Sequence, residues 1–274
     1  MSQLIASNSK PSSSFLPVAH PFANSQPKEL LLVLPVPFRV QGNQLLFETQ
    51  AGNGLEQWAN NFGSVIVVAP IMPESLAQAN KTIVWQDTQS LADPERFEFV
   101  PLPWAYSTKD FLLCYKPVRT TLAKLIARSH YLQFAIGGLM GDWAAIAALE
   151  AKSQGRAYAI HTDRVEHLVI KNTTQTASLK TRLKANLAAP IMKGYHKHII
   201  KNCALGLWHG HDYYTAYSPF CTNSHLIDDV HTKPSDIVEQ AVFQERSNLI
   251  KKHLPTTISA TNLVAQSRTF QYLK

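Results

Sequence analysis

The densest group of chemistry-bearing side chains is His161-Thr162-Asp163-Arg164-Val165-Glu166. Two carboxylates and a guanidinium stand where a short apolar run, Ala157–His161, gives out. Arginine forks onto phosphate and carboxylates accept from hydroxyls, so Asp163, Arg164 and Glu166 could bind a phosphorylated or polyhydroxyl ligand. The competing reading is a surface ion pair, which contributes little.

Other groups point to chemistry less directly. His209-Gly210-His211-Asp212 and His196-Lys197-His198 bring imidazoles together. The further spaced ligands of known metal signatures do not accompany them, so no metal is expected. His209 and His211 are read as hydrogen-bonded rim histidines, and His196 and His198 as solvated parts of a basic helix. Gly52-Asn53-Gly54 begins like G-x-G-x-x-G, but Gln57 takes the place of the third glycine. Gly137-Gly138-Leu139-Met140-Gly141 follows a strand with the wrong spacing, and no G-x-x-x-x-G-K-[ST] occurs. A bound nucleotide cofactor is therefore not expected, and these glycines are assigned to tight strand-to-helix turns. A G-x-S-x-G elbow is also lacking, which removes the main signal of an α/β serine hydrolase.

These residues must be carried by regular elements, and the chain alternates them. Leu30–Val36 is an apolar run that fits a strand buried on both faces. A polar loop follows, then a helix from Gly54 to Phe62 with Leu55, Trp58, Ala59 and Phe62 on one stripe. Val65–Ala69 completes a βαβ unit. Thr82–Trp85 reads as a short strand and Phe97–Leu102 as a main one, ending at Pro101 and Pro103. Thr108–Ser129 reads as a helix with Leu112, Leu113, Val118, Leu122, Leu125 and Ile126 inward, kinked or broken at Pro117. Tyr131–Ile136 is a strand, and Asp142 is placed to cap a helix over Trp143–Ser153 that stops at Gly155. After Ala157–His161 come a helix over Ser178–Lys201, a strand over Cys203–Trp208 and a short helix over His209–Tyr217. A strand over His225–Val230 and a helix from Ser235 to about Lys252 close the series. Such alternation predicts an α/β fold: one doubly wound, mostly parallel Rossmann-like sheet with helices on both faces, spanning residues 28–252. Ligands bind beyond the carboxyl ends of strands in such sheets, which nominates Pro37–Asn43, Gly137–Asp142, His161–Glu166 and His209–Asp212.

The flanks are read separately. Residues 1–27 are rich in Ser and Pro, without an apolar segment long enough for a secretory signal, and are expected to form a mobile tail. Residues 253–274 have weak periodicity and are expected to be irregular. The net charge of +7 favours acidic partners. Its densest source is Ser178–Lys201, where Lys180, Arg182, Lys184, Lys193, Lys197 and Lys201 occur without an acid. Leu179, Leu183, Leu187, Ile191, Tyr195 and Ile199 recur there every four residues. That stripe is expected on the core, with Pro190 interrupting the helix and the basic face free to meet an anionic membrane surface. Nucleic acid is not expected, because Tyr195 alone interleaves an aromatic with the charge. Three cysteines, Cys114, Cys203 and Cys221, lack metal-type spacing and suit a reducing compartment. The best spanning candidate, Tyr131–Leu149, contains Asp142 and reads better as a strand turning into a helix. A cytoplasmic protein, peripheral at most on the inner membrane face, is the expectation.

The order of elements resembles the amino-terminal half of a GT-B glycosyltransferase, close to the bacterial family 4 group. The residues that carry the likeness are Leu30–Phe38, Gly54–Ala59, Ile136–Trp143, His161–Glu166 and His231–Asp236, over about residues 28–240. The resemblance implies an acceptor-binding domain that faces a nucleotide-sugar-binding domain across a cleft. It also implies transfer with retention at the anomeric carbon and no bound metal ion. On that reading Arg39, Gly42, Asn43, Gly138, Asp142, Arg164 and Glu166 line the acceptor side. Two departures stand out. Arg39-Val40-Gln41-Gly42-Asn43 replaces the family's glycine pair after the first strand, and a donor domain does not follow. The expected function is thus the acceptor half of a sugar transferase, with little activity unless a second domain or chain supplies the donor. The alternative is a non-catalytic binding or assembly protein that presents the apolar cleft face of its sheet.

Overall fold

The computed structural model describes residues 28–227 and 239–253. The first expected tail, the second from residue 254 on and the Ser235 cap lie outside the described residues, as do His231–Asp236 and the last three residues of the expected His225–Val230 strand.

The chain opens with β1 (Glu29–Val33), whose residues alternate between two buried faces. Leu31 and Val33 enter one core and Leu30 and Leu32 the other, which is why the four positions after Glu29 are all apolar. Next come β2 (Arg39–Gln41) and β3 (Gln44–Glu48), an antiparallel hairpin where a plain polar loop is expected. Gly42 turns it with φ 58°, a conformation that favours glycine in a two-residue turn. Helix α1 (Thr49–Ala59) starts five residues before the expected Gly54, so Gly52 and Gly54 sit inside a helix and do not form a turn. A Cβ at Gly52 would fall 2.0 Å from the Gln86 Nε2, so a larger residue there would require the Gln86 side chain to swing away. Arg96 donates to the carbonyls of Ala59, Phe62 and Gly63 and satisfies the end of α1.

The next elements are β4 (Ser64–Pro70), α2 (Glu74–Ala79), β5 (Trp85–Asp87) and β6 (Phe97–Leu102). β5 joins the hairpin in a small antiparallel sheet. β6 is an edge strand, where Pro101 costs no ladder bond on its open side. Then follow α3 (Thr108–Arg128), β7 (Tyr131–Ala135), α4 (Trp143–Ser153), β8 (Ala159–Thr162), α5 (Glu166–Thr173) and α6 (Leu179–Lys201). The described chain closes with β9 (Leu205–His209), α7 (His211–Tyr217), β10 (Ser224–Ile227) and α8 (Gln240–His253).

Seven parallel strands form the main sheet in the order β10-β9-β8-β7-β1-β4-β6. The βαβ unit of β1, α1 and β4 pairs as the sequence implies. Helix α1 packs on one face with Phe38, Phe47 and Phe97, while α3, α4 and α6 supply residues to the core on the other. The molecule is therefore an α/β, mostly parallel, Rossmann-like sheet with helices on both sides.

Three local expectations are corrected. Pro117 and Pro190 lie inside continuous helices. Each is exposed, as is the residue four earlier (Leu113 and Asn186), so water can satisfy the carbonyl that loses its partner. Leu112 and Leu113 are exposed and do not face the core. The four-residue stripe of α6 also faces out over most of its length: Leu179, Leu183, Leu187 and Ile191 are 82%, 64%, 62% and 59% exposed. The buried side carries Ala185, Ala189, Met192, His196, Ile199 and Ile200. Small alanines let α6 approach α4 and α5 closely, and a leucine row on that side would hold it off.

Candidate functional site

The sheet winds outward from β1 in both directions. β1 is followed through α1 to β4 on one side, while the later strands run from β7 the other way. Two cavities meet at this switch point, beyond the carboxyl ends of β1 and β7, as expected for such sheets. One, of about 250 Å³, is mostly apolar and lies between the β7–α4 loop, α5 and α6; Tyr106, Met140, Val169, Ile170 and Met192 line it. The other, of about 550 Å³, is more polar and includes Gln57, Asn61, His161, Asp163 and His209. Leu34, Pro35, Gly137 and Arg164 border both.

The β7–α4 loop is built around one carboxylate. Asp142 caps α4 by accepting from the Ala145 N–H at 3.0 Å. Its other oxygen accepts from the Gly137 and Gly138 N–H groups, both at 2.9 Å. Asp142 therefore lines the smaller cavity, but its acceptor capacity holds the loop in shape. Gly141 takes φ 74°, and a Cβ there would lie 2.9 Å from the Ala105 carbonyl oxygen. Gly141→Ala should lower stability by about 1–3 kcal/mol, measured by urea unfolding; an unchanged midpoint would show that the loop is not held this tightly.

Arg164 and Glu166 come from the turn between β8 and α5. The Arg164 Nε lies 3.2 Å from one Glu166 oxygen and 3.6 Å from Asp163. Glu166 is 8% exposed. Burial pushes its pKa up to about 7, Arg164 pulls it back, and Asp163 and Asp142 add to the rise. A carboxyl that titrates near neutrality can take up or release a proton at working pH, as a general acid or base must. A Cβ on Gly137 would sit 3.8 Å from Glu166 and 3.9 Å from Arg164, so the loop backbone runs alongside the pair.

Gly138, Asp142, Arg164 and Glu166 are thus brought together at the smaller cavity. Arg39, Gly42 and Asn43 are placed in the β2–β3 hairpin and line neither cavity. Arg39 makes a two-pronged pair with Glu74, at 2.6 and 3.1 Å. Tyr106 and the α5 and α6 walls escape the sequence reading, and the only signal for the α6 wall was the alanine-rich side of that helix. His196 is 1% exposed and not solvated; burial lowers its pKa against the opposing pull of Asp142. His161 stands with its ring 5.6 Å from that of His209, and its Nδ1 is 3.1 Å from the Gln133 amide. Among the described residues, three or more His, Cys, Asp or Glu side chains nowhere group as metal ligands. Cys203 and Cys221 are free, with sulfurs 3.4 Å apart.

No protein-family model and no curated protein matches this chain. Solved structures share its general shape. UGT89C1 of Arabidopsis thaliana complexed with UDP-L-rhamnose is 9% identical, with a TM-score of 0.43, over 84% of this chain and 56% of its own. A UDP-glucosyltransferase of Polygonum tinctorium, in a complex with 3,4-dichloroaniline, is 11% identical with a TM-score of 0.45, over 77% and 55%. UGT71G1 of Medicago truncatula, complexed with UDP-glucose, is 10% identical with a TM-score of 0.42, over 82% and 57%. The chain spans a little over half the length of each. Likeness this weak assigns no activity and no residue role.

Proposed function

We propose that this chain is the acceptor-side half of a nucleotide-sugar-dependent glycosyltransferase. The observation that carries the reading is the buried Glu166 beside Arg164 in an apolar cavity at the sheet's switch point. A hydroxyl-bearing acceptor with an apolar body would enter that cavity and donate its hydroxyl to Glu166. Arg164 would hold the carboxylate and face the charge that develops on the departing diphosphate. The family 4 resemblance of residues 28–240 supports the class of reaction and implies transfer with retention. The donor nucleotide would be bound by a second domain or chain, since the described residues contain one nucleotide-type sheet. The same reading includes a cytoplasmic enzyme that touches an anionic membrane through Lys180–Lys201.

Ligand titration tests the acceptor assignment. Short alkyl and aryl glycosides should raise the melting temperature of this chain, and free UDP should not. Glu166→Gln should weaken glycoside binding by roughly tenfold, the loss of one good hydrogen bond to a charged group. A response to UDP with none to glycosides would overturn it. Incubation with labelled nucleotide sugars should give little transfer by this chain alone; robust transfer would refute the half-enzyme reading.

A further inference from the structure

We infer that Cys203 and Cys221 form a reversible disulfide that staples the edge of the main sheet, a redox modification site outside both cavities. The two residues lie 18 positions apart in the chain and are free thiols, with the Cys203 thiol donating to the Cys221 sulfur at 3.4 Å. A disulfide brings its sulfurs to about 2 Å, a gap that small side-chain rotations close. Each cysteine stands just before a strand, Cys203 ahead of β9 and Cys221 ahead of β10. Hydrogen bonds already tie the two lead-ins together. The Asn223 side chain donates to the Ala204 carbonyl at 3.1 Å, and the Gly206 N–H donates to the Asn223 carbonyl at 2.9 Å. The frame that pairs β9 with β10 thus holds the two sulfurs facing each other.

Exposure sets the order of the chemistry. Cys203 is half-buried, and Cys221 is almost closed to water. A small disulfide such as oxidised glutathione therefore reaches Cys203 first. The Cys203 thiolate attacks one of its sulfurs, a mixed disulfide forms, and one thiol leaves. Cys221 then gives up its proton and attacks the Cys203 sulfur, which expels the second thiol. Each cysteine passes one electron and one proton to the oxidant, which ends as a pair of free thiols. Burial, with a smaller push from the Cys221 thiol, raises the Cys203 pKa, so thiolate is scarce and the first step is slow. In a reducing compartment the pair rests as thiols, and sustained oxidant sets the staple. β10 is the edge strand of the main sheet, paired on one side only. A bond ahead of it fixes that edge to β9, whose far end carries His209 to the larger cavity. The staple stands whether or not the chain transfers sugar.

Incubation of the full chain with excess oxidised glutathione tests it. Peptide mapping without reduction should recover Cys203 joined to Cys221, and dithiothreitol should separate them. The cross-linked protein should melt about 5–10 °C higher than the reduced one, because its unfolded chain keeps a closed loop. Amide exchange in β10 should slow at least about tenfold, since the edge no longer opens away from β9. Cys221→Ala should stop at the mixed glutathione adduct on Cys203, and Cys203→Ala should neither cross-link nor gain stability. Cys203 is only half-buried, so that variant still tests the pair where loss of the buried Cys221 unfolds the chain. Both thiols staying open to alkylation after prolonged oxidant overturns the proposal, as does a bridge through Cys114 or to a second chain in their place. So does a Cys203–Cys221 bond that leaves the melting temperature and β10 exchange as they were, because it would staple nothing.

Discussion

Glu166→Gln should stabilise the protein by about 2–3 kcal/mol above pH 7 and leave it within about 1 kcal/mol of wild type near pH 4.5. The sign follows from proton binding. In the folded state burial raises the Glu166 pKa from 4.5 to about 7, so the native chain holds this proton more tightly than the unfolded chain. The stabilising contribution is complete below 4.5, is lost as pH rises towards 7, and changes no further above that. Glutamine resembles the neutral acid and carries no such proton, so the variant lacks the loss. Arg164 lies 3.2 Å away and loses a partner in the variant, which keeps the gain below the full value of the shift. Urea unfolding of both proteins across this pH window reads Glu166 and the groups coupled to it, because titrations that do not feel Glu166 cancel in the difference. Parallel curves for the two proteins would mean that Glu166 ionises as an ordinary surface acid. The acid–base role would then go with it.

Asp142→Ala should cost about 3–4 kcal/mol. The carboxylate accepts from three backbone N–H groups, at Gly137, Gly138 and Ala145. Alanine removes all three acceptors from a position that is nearly closed to water. Two of the stranded donors lie in the loop that borders both cavities, so glycoside binding should weaken along with stability. Asp142→Asn separates the contributions. Its amide oxygen can still cap α4 through Ala145, while its NH₂ group meets the loop N–H groups badly. A loss of about half the alanine value is expected, with the helix kept and the loop loosened. A loss under about 1 kcal/mol for alanine would show that water or another acceptor takes over, and that Asp142 does not hold the loop.

Much of the scaffold was legible because local rules decide it. β1 and β4 lie in runs too apolar for anything but strands buried on both faces, and β6 and β7 in shorter apolar runs bounded by turn residues. Asp142 and Gly155 carry the chemistry of a helix start and stop, and α4 begins and ends where they say. The hairpin over Arg39–Glu48 was legible too: the turn pair Gly42-Asn43 separates Arg39-Val40-Gln41 from Gln44-Leu45-Leu46-Phe47-Glu48. A loop reading passed over that signal because the segment is polar. Helix α5 is short and has little apolar periodicity, so its place as the outer wall of the Glu166 cavity left no trace in the sequence.

The residue order by itself determined that a parallel, doubly wound sheet forms, and that Arg164 and Glu166 stand at the end of a strand. Only the tertiary structure decided that Glu166 is buried and that the leucines of α6 face out. Periodicity shows that a helix has a distinct side, but not which body lies against it. That choice falls to packing: the alanine side of α6 fits closely on α4 and α5, so the larger side chains are left on the outside.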